Sequence, residues 1–135
     1  MKAAQRQFLN KVDGIDGYFA AKSGGEVTSD ANKVWDGGQK KPDIVASPAE
    51  TGDVVLTRPY DPAQHQDLLN RLVNMVGEWF TTISISPTET NLTAAKVKPR
   101  VYPNALLIGV REPESDASSG DAADFELTFA VGSAA

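Results

Sequence analysis

The chain has no cysteine. That removes disulfides, thiol nucleophiles and Cys-ligated zinc together, and it fits folding in a reducing cytoplasm. Histidine is nearly absent as well, and the single His65 cannot build a His-rich metal site. Long apolar runs are missing. None exceeds the four residues of Ala105–Ile108, against the ~20 that a helix needs to cross a bilayer. The first residues, Met-Lys-Ala-Ala-Gln-Arg-Gln-Phe, contain no apolar h-region, so no secretory signal is visible. The expectation is a soluble protein with no membrane insertion. Phosphate-cradling loops are absent too: Gly24-Gly25 and Gly37-Gly38 match neither a P-loop nor a dinucleotide fingerprint and read as turns. The acidic residues do not space as an EF-hand. No cofactor and no metal are expected.

What is present suits one domain: 135 residues, enough to bury roughly 68% of the unfolded chain's surface around one core. The net charge of −5 is unevenly placed. Residues 1–60 carry eight acids and eight bases; residues 61–135 carry ten acids and five bases. Six of those acids, Glu112, Glu114, Asp116, Asp121, Asp124 and Glu126, follow one another with no base among them. Affinity for nucleic acid comes mostly from Lys and Arg, so this chain is not built to grip phosphate. The stretch Glu112–Asp124, rich in Ser, Asp, Ala and Glu, reads as a long polar, solvated loop between two strands.

One segment is clearly helical. Asp61-Pro62 supplies an N-cap and N1, and Gln64 stands where a capping-box partner would. Leu68, Leu69, Leu72, Val73 and Val76 share a face, and Gly77 follows as a stop, which gives a helix over 62–76. Most of the rest alternates with period two. Trp79, Thr81, Ile83 and Ile85 oppose Phe80, Thr82, Ser84 and Ser86. Phe125, Leu127, Phe129 and Val131 oppose Asp124, Glu126, Thr128 and Ala130, the pattern of a half-buried antiparallel strand. Further strands are expected at 8–12, 17–21 and 53–58, with a weaker one at 44–47. Tyr102-Pro103-Asn104 reads as the turn of a hairpin joining 93–102 to 105–111. One helix and seven or eight strands imply an antiparallel β-sandwich, or a partly closed barrel, with the helix across it.

Candidate chemistry is sparse. His65 could pair with Asp61 or Asp67 as a base, but no Ser nucleophile sits in a recognisable motif. The plainer reading is an exposed or half-exposed helix residue. Asp13 with Asp16, and Glu112 with Glu114, are close pairs that fit turns as well as acid–base work, which needs a perturbed carboxyl in a cleft. Two features point to contacts instead. Lys96, Lys98 and Arg100 share one strand face, interrupted by Pro99, which marks an edge or bulge. They read either as a solvated face or as an interface relieved by acids such as Asp124 and Glu126 opposite, in the same chain or in a neighbour. Trp35 sits in a connection of about thirty residues, Ser23–Asp53, with little apolar content; such long loops are usually functional or disordered. It is either a core residue or an aromatic anchor for docking.

Taken in order, several segments form a pattern: Phe8-Leu-Asn-Lys-Val-Asp-Gly-Ile, Val34-Trp-Asp-Gly-Gly-Gln-Lys, Asp53-Val-Val-Leu-Thr-Arg-Pro-Tyr-Asp running into the helix, Val101-Tyr-Pro-Asn-Ala-Leu-Leu, and a final alternating strand. The chain resembles the tail tube proteins of contractile-tailed phages and related injection systems over nearly its whole length. Order and length carry the likeness; none of these motifs is diagnostic of catalysis.

The resemblance implies a β-sandwich or split β-barrel with one flanking helix, spanning residues 1–135 as one tail-tube domain. It implies hexameric rings whose inner strands join into a continuous barrel, stacked into a tube. The segment 23–53 would be the loop that reaches an adjacent ring. On this basis Trp35, Asp36, Gly37, Lys40, Lys41, Arg58, Lys96, Lys98 and Arg100 are interface candidates. The six acids of 112–126 are candidates for a loop or for the lumen. Implied partners are further copies of the chain and the tail sheath, baseplate and terminator proteins. Double-stranded DNA would pass through a negatively charged channel without specific binding, or protein cargo would do so in an injection system. The implied place is the virion tail, after synthesis in the host cytoplasm, and the role is structural, not enzymatic. The rivals are a terminator or connector of the same fold, a small monomeric β-barrel binding an apolar ligand, and an unrecognised carboxylate hydrolase.

Overall fold

The computed structural model describes residues 8–38, 40–88 and 98–132. Its one described helix, α1 (Pro62–Val73), starts where the sequence places it: the Asp61 carboxylate accepts from the Ala63 N–H at 3.1 Å, and Pro62 occupies the first turn. The helix ends earlier than expected. Asn74 caps it, and Gly77, at φ 84°, sits in the following turn, its N–H donating to the Leu107 carbonyl at 2.7 Å. Val73 and Val76 are therefore exposed, not core; Leu69 and Leu72 are buried, and Met75 and Trp79 pack at the core's margin.

The main sheet is antiparallel throughout. It comprises β1 (Phe8–Val12), β2 (Ala21–Gly24), β7 (Val54–Pro59), β8 (Phe80–Pro87), β9 (Arg100–Arg111) and β10 (Asp124–Ala130), in the order β1-β8-β9-β10-β7-β2. Alternation decides its faces as predicted: Thr81, Ile83 and Ile85, and Phe125, Leu127 and Phe129, all point into the core. The sheet curls into a half-barrel. Phe19 donates its N–H to the Asn10 carbonyl at 2.8 Å, bridging the connection before β2 to the opposite edge strand β1. The expected strand over 17–21 is thus only this single bridge, and regular pairing begins at Ala21.

The hairpin expected at Asn104 does not exist. Residues 100–111 form one long strand that crosses two partners, β8 with its first half and β10 with its second. Thr81 faces Ala105 while Ile83 faces Tyr102, so Pro103 and Asn104 together oppose Thr82. That is a bulge, not a turn. Proline has no N–H for a ladder, and Asn104 tolerates its φ of 55° better than most residues. The upstream part of that predicted strand, 93–97, lies outside the described residues.

The segment 23–53 is not a loop but a β-ribbon. The β2–β7 ladder continues outward through β3 (Val27–Thr28) with β6 (Glu50–Thr51), then β4 (Ala31–Val34) with β5 (Asp43–Ala46). Hydrogen bonds from Gly25 N–H to Asp53, Gly52 N–H to Glu26 and Ser47 N–H to Asp30 join the three ladders into one arm. The arm springs from Gly24, whose φ is 79° and whose missing Cβ would lie 1.9 Å from the Asp53 carbonyl oxygen. We expect Gly24→Ala to cost more than about 1 kcal/mol and lower the melting temperature by at least about 3 °C. Gly37→Ala, with open space and an ordinary φ, should leave it unchanged in the same calorimetry.

Candidate functional site

A two-stranded ribbon has no inside. Every described residue of β3, β4 and β5 is exposed. In the outer ladder Lys33 and Ile44 share one face and Val34 and Asp43 the other. Each face thus mixes apolar and charged groups. Ile44 is 69% exposed and Trp35, at the tip, 64%; Val27, Val34 and Val45 are exposed beside them. Trp35 is therefore not a core residue. The tip also carries Asp36, Gly37, Lys40 and Lys41, with the Gly37 N–H donating to the Asp36 carboxylate at 3.0 Å. The structure brings these five interface candidates together at the end of the arm.

The other candidates lie elsewhere. Arg100 opens β9 and belongs to the arm's root: its Nε donates to the buried Tyr102 hydroxyl at 3.0 Å, and a Cβ on Gly25 would meet that same hydroxyl at 2.7 Å. Lys98 is exposed just before the strand, and Lys96 lies outside the described residues. Among the described residues neither Lys98 nor Arg100 pairs with Asp124 or Glu126. Strand β10 meets the far half of β9, so Glu126 faces Arg111, at 3.3 Å, while Arg100 faces Ile85 on β8.

The acidic segment between β9 and β10 is exposed as expected. Glu114, Asp116, Asp121 and Asp124 line one hollow with Arg111, and Glu112 is exposed beside it in the chain. Asp116 turns the chain by accepting from the Ser118 hydroxyl at 2.7 Å and the Ser118 N–H at 3.0 Å. Those two bonds hold its carboxyl below the ordinary range. Among the described residues no group of three His, Asp or Glu is placed to hold a metal.

A second cleft lies between α1 and the β1–β2 connection. Arg58 lines it, with one Nη donating to the Asp16 carbonyl at 2.7 Å and the guanidinium over the Phe19 ring. His65 also lines it and is buried, contrary to the expected surface placement. Its ring packs on Phe125 at 5.0 Å, and its Nδ1 accepts from the Asp61 N–H at 2.9 Å. His65, not Gln64, closes the capping box. The signal was present in the sequence: His65 precedes Leu69 by four residues and Leu72 by seven, which puts it on the apolar stripe.

No protein-family model matches the chain, and no curated protein is similar to it in sequence. Solved structures do match. A chain of the PVC sheath–tube complex, an extracellular contractile injection system in the extended state, superposes with TM-score 0.80 at 19% identity, covering 99% of this chain and 90% of that one. The chain has the fold of contractile injection components. A sheath/tube terminator chain of the same system gives TM-score 0.82 at 19% identity, over 100% of this chain and 96% of that one. The tube-terminating cap of the anti-feeding prophage gives 0.81 at 17%, over 100% and 90%. The architecture is thus mainly β and tube-like, as the resemblance implied.

Burial holds the His65 pKa below its ordinary value, the Arg58 charge lowers it further, and Asp61 partly opposes them. The unfolded chain takes up this proton near about 6.5 and the folded chain only at lower pH. The contribution of neutral His65 is therefore complete above that pH and is lost as pH falls through the folded value. Denaturant midpoints should decline more steeply from about pH 7 to pH 5 in the wild type than in His65→Gln. Parallel profiles would contradict this placement of His65.

Proposed function

We propose that this chain is a structural subunit of a tail-type tube, assembling into hexameric rings that stack around a channel. The observation that carries this reading is the arm. An isolated two-stranded ribbon is marginal in water, yet this one holds Val27, Val34, Trp35, Ile44 and Val45 away from any core. Fully burying each such side chain contributes about 1.5–3 kcal/mol. A neighbouring copy is the cover that a repeating tube supplies, and ten residues from Gly25 to Val34 reach at most about 33 Å toward it. Among the described residues the outer edge of β2 has no partner strand and that of β1 only the Asn10–Phe19 bridge, and a closed ring removes such edges. Sheath, baseplate and terminator proteins are the further partners of such a tube, and the virion or injection apparatus is its place.

For a phage tail the channel conducts DNA, and acids of the segment 112–126 facing the lumen would keep DNA from sticking. For an injection system it conducts protein. The solved structures compared above come from contractile injection systems, which favours the second form. A monomeric ligand-binding barrel is disfavoured, because the inside of the curl is filled by Tyr102, Phe125, Phe129, Leu56 and Leu72.

Trp35→Ala should shorten filaments sharply at matched concentration while leaving the melting curve intact, since an interfacial aromatic anchor carries about 2 kcal/mol or more. Filaments of normal length would contradict the docking of the arm. Lys98→Glu should block assembly if the exposed cation faces a neighbour; unchanged assembly would assign Lys98 to solvent.

A further inference from the structure

The sequence contains three Asp-Gly pairs, Asp13-Gly14, Asp16-Gly17 and Asp36-Gly37, and all six residues are exposed. An aspartyl carboxyl is open to attack by the main-chain nitrogen of the next residue, and glycine, without a Cβ, leaves that nitrogen unhindered. The fold treats the three pairs differently. Two are held in the β1–β2 connection. The Asp13 N–H donates to the Thr82 carbonyl at 3.0 Å, and the Asp13 carbonyl accepts from the Thr81 hydroxyl at 2.8 Å. The Asp16 carbonyl accepts from Arg58 at 2.7 Å, and a Cβ on Gly17 would lie 2.5 Å from that guanidinium. The third pair stands at the tip of the arm. A Cβ on Gly37 or on Gly38 would meet nothing within 4 Å. The Gly37 N–H donates to the Asp36 carboxylate at 3.0 Å, so the carboxyl is already folded back onto the nitrogen that would attack it. Such pre-orientation is what favours an intramolecular reaction.

We propose that Asp36-Gly37 is a self-modification site of the unassembled chain, where aspartate converts to isoaspartate while Asp13 and Asp16 do not. The Gly37 nitrogen bonds to Asp36 Cγ, and its proton leaves with a carboxyl hydroxyl as water, so a succinimide remains. Water then opens the ring. Cleavage of the bond from nitrogen to Cγ regenerates aspartate; cleavage of the bond from nitrogen to the main-chain carbonyl carbon routes the chain through Cβ and Cγ. One water leaves and one enters, with no oxidant or reductant. The product keeps its charge but lengthens the main chain by one methylene beside Trp35. At the other two pairs, ring closure has to turn a backbone that Thr81, Thr82 and Arg58 hold in place. Docking of the tip on a neighbour would also restrain the ring closure, a protection that rests on the tube reading.

The test incubates the full, unassembled chain in heavy-oxygen water below its melting temperature, since each ring opening leaves one heavy oxygen in the product. Trypsin then releases Val34–Lys40, which holds Asp36, and Val12–Lys22, which holds both controls. Per Asp-Gly pair, Val34–Lys40 should gain label about tenfold faster, the factor that one or two lost hydrogen bonds supply. In denaturant the two peptides should label alike. Gly37→Ala, which the open space accommodates, should keep the melting curve and slow labelling of Val34–Lys40 several-fold. Equal labelling in the folded chain overturns the proposal, and so does a preference that persists in denaturant or survives Gly37→Ala. In assembled tubes labelling of Val34–Lys40 should fall several-fold; tubes that label as fast as free chains overturn the protection by docking. A chain that never forms tubes overturns the tube reading, while labelling of the free chain still decides the modification.

Discussion

One helix has to cover a six-stranded sheet. Helix α1, with 12 residues, is about 18 Å long, and six strands laid flat span roughly 24 Å. A flat sheet would leave much of its apolar face wet. The sheet curls instead, and the β1–β2 connection closes the gap with Ile15 and Phe19, the latter edge-on to Phe125 at 5.9 Å. Two bulges let the long strand β9 follow that curve, at Pro103-Asn104 against β8 and near Ile108 against β10. Bulges bend a strand and increase its twist, so these irregularities are the means by which one strand serves both halves of the sheet.

The same constraint explains what is left outside. All the large buried side chains are spent on the concave side of the curl. None remains for the arm, which is held to the body by the β2–β7 ladder and by glycines where the chains approach closely, Gly24 at Asp53 and Gly25 at Tyr102. The body and the arm therefore have different needs. The body buries its large apolar side chains within its own chain, whereas the arm leaves Val27, Val34, Trp35, Ile44 and Val45 exposed. The solved structures compared with it are chains of contractile injection assemblies.

Sequence patterns were legible wherever one face is wet and the other dry. Strands β8 and β10 and the start of α1 follow directly from alternation and capping. The rest of the arm was illegible for the same reason inverted: both of its faces meet solvent, so Val27–Thr28 and Ala31–Val34 show no period to read, and only the weaker strand expected at 44–47 emerged, as β5 (Asp43–Ala46). The turn predicted at Asn104 failed because Pro-Asn serves a bulge as well as a hairpin, and only the partner strand decides between them. His65 was misplaced because a polar residue type outweighed its spacing from Leu69 and Leu72. The interface candidates at 35–41 gathered at one tip, whereas the pairing of Arg100 with Glu126 required a register that a sequence does not contain.

The most direct measurement is negative-stain electron microscopy of the concentrated, tag-free protein, with and without purified baseplates. The account predicts rings or tubes with a central channel, and density for the arm that crosses from one subunit onto the next. Monomers alone, even with baseplates present, would contradict it, because the arm would then have to persist in solution with nothing to cover it.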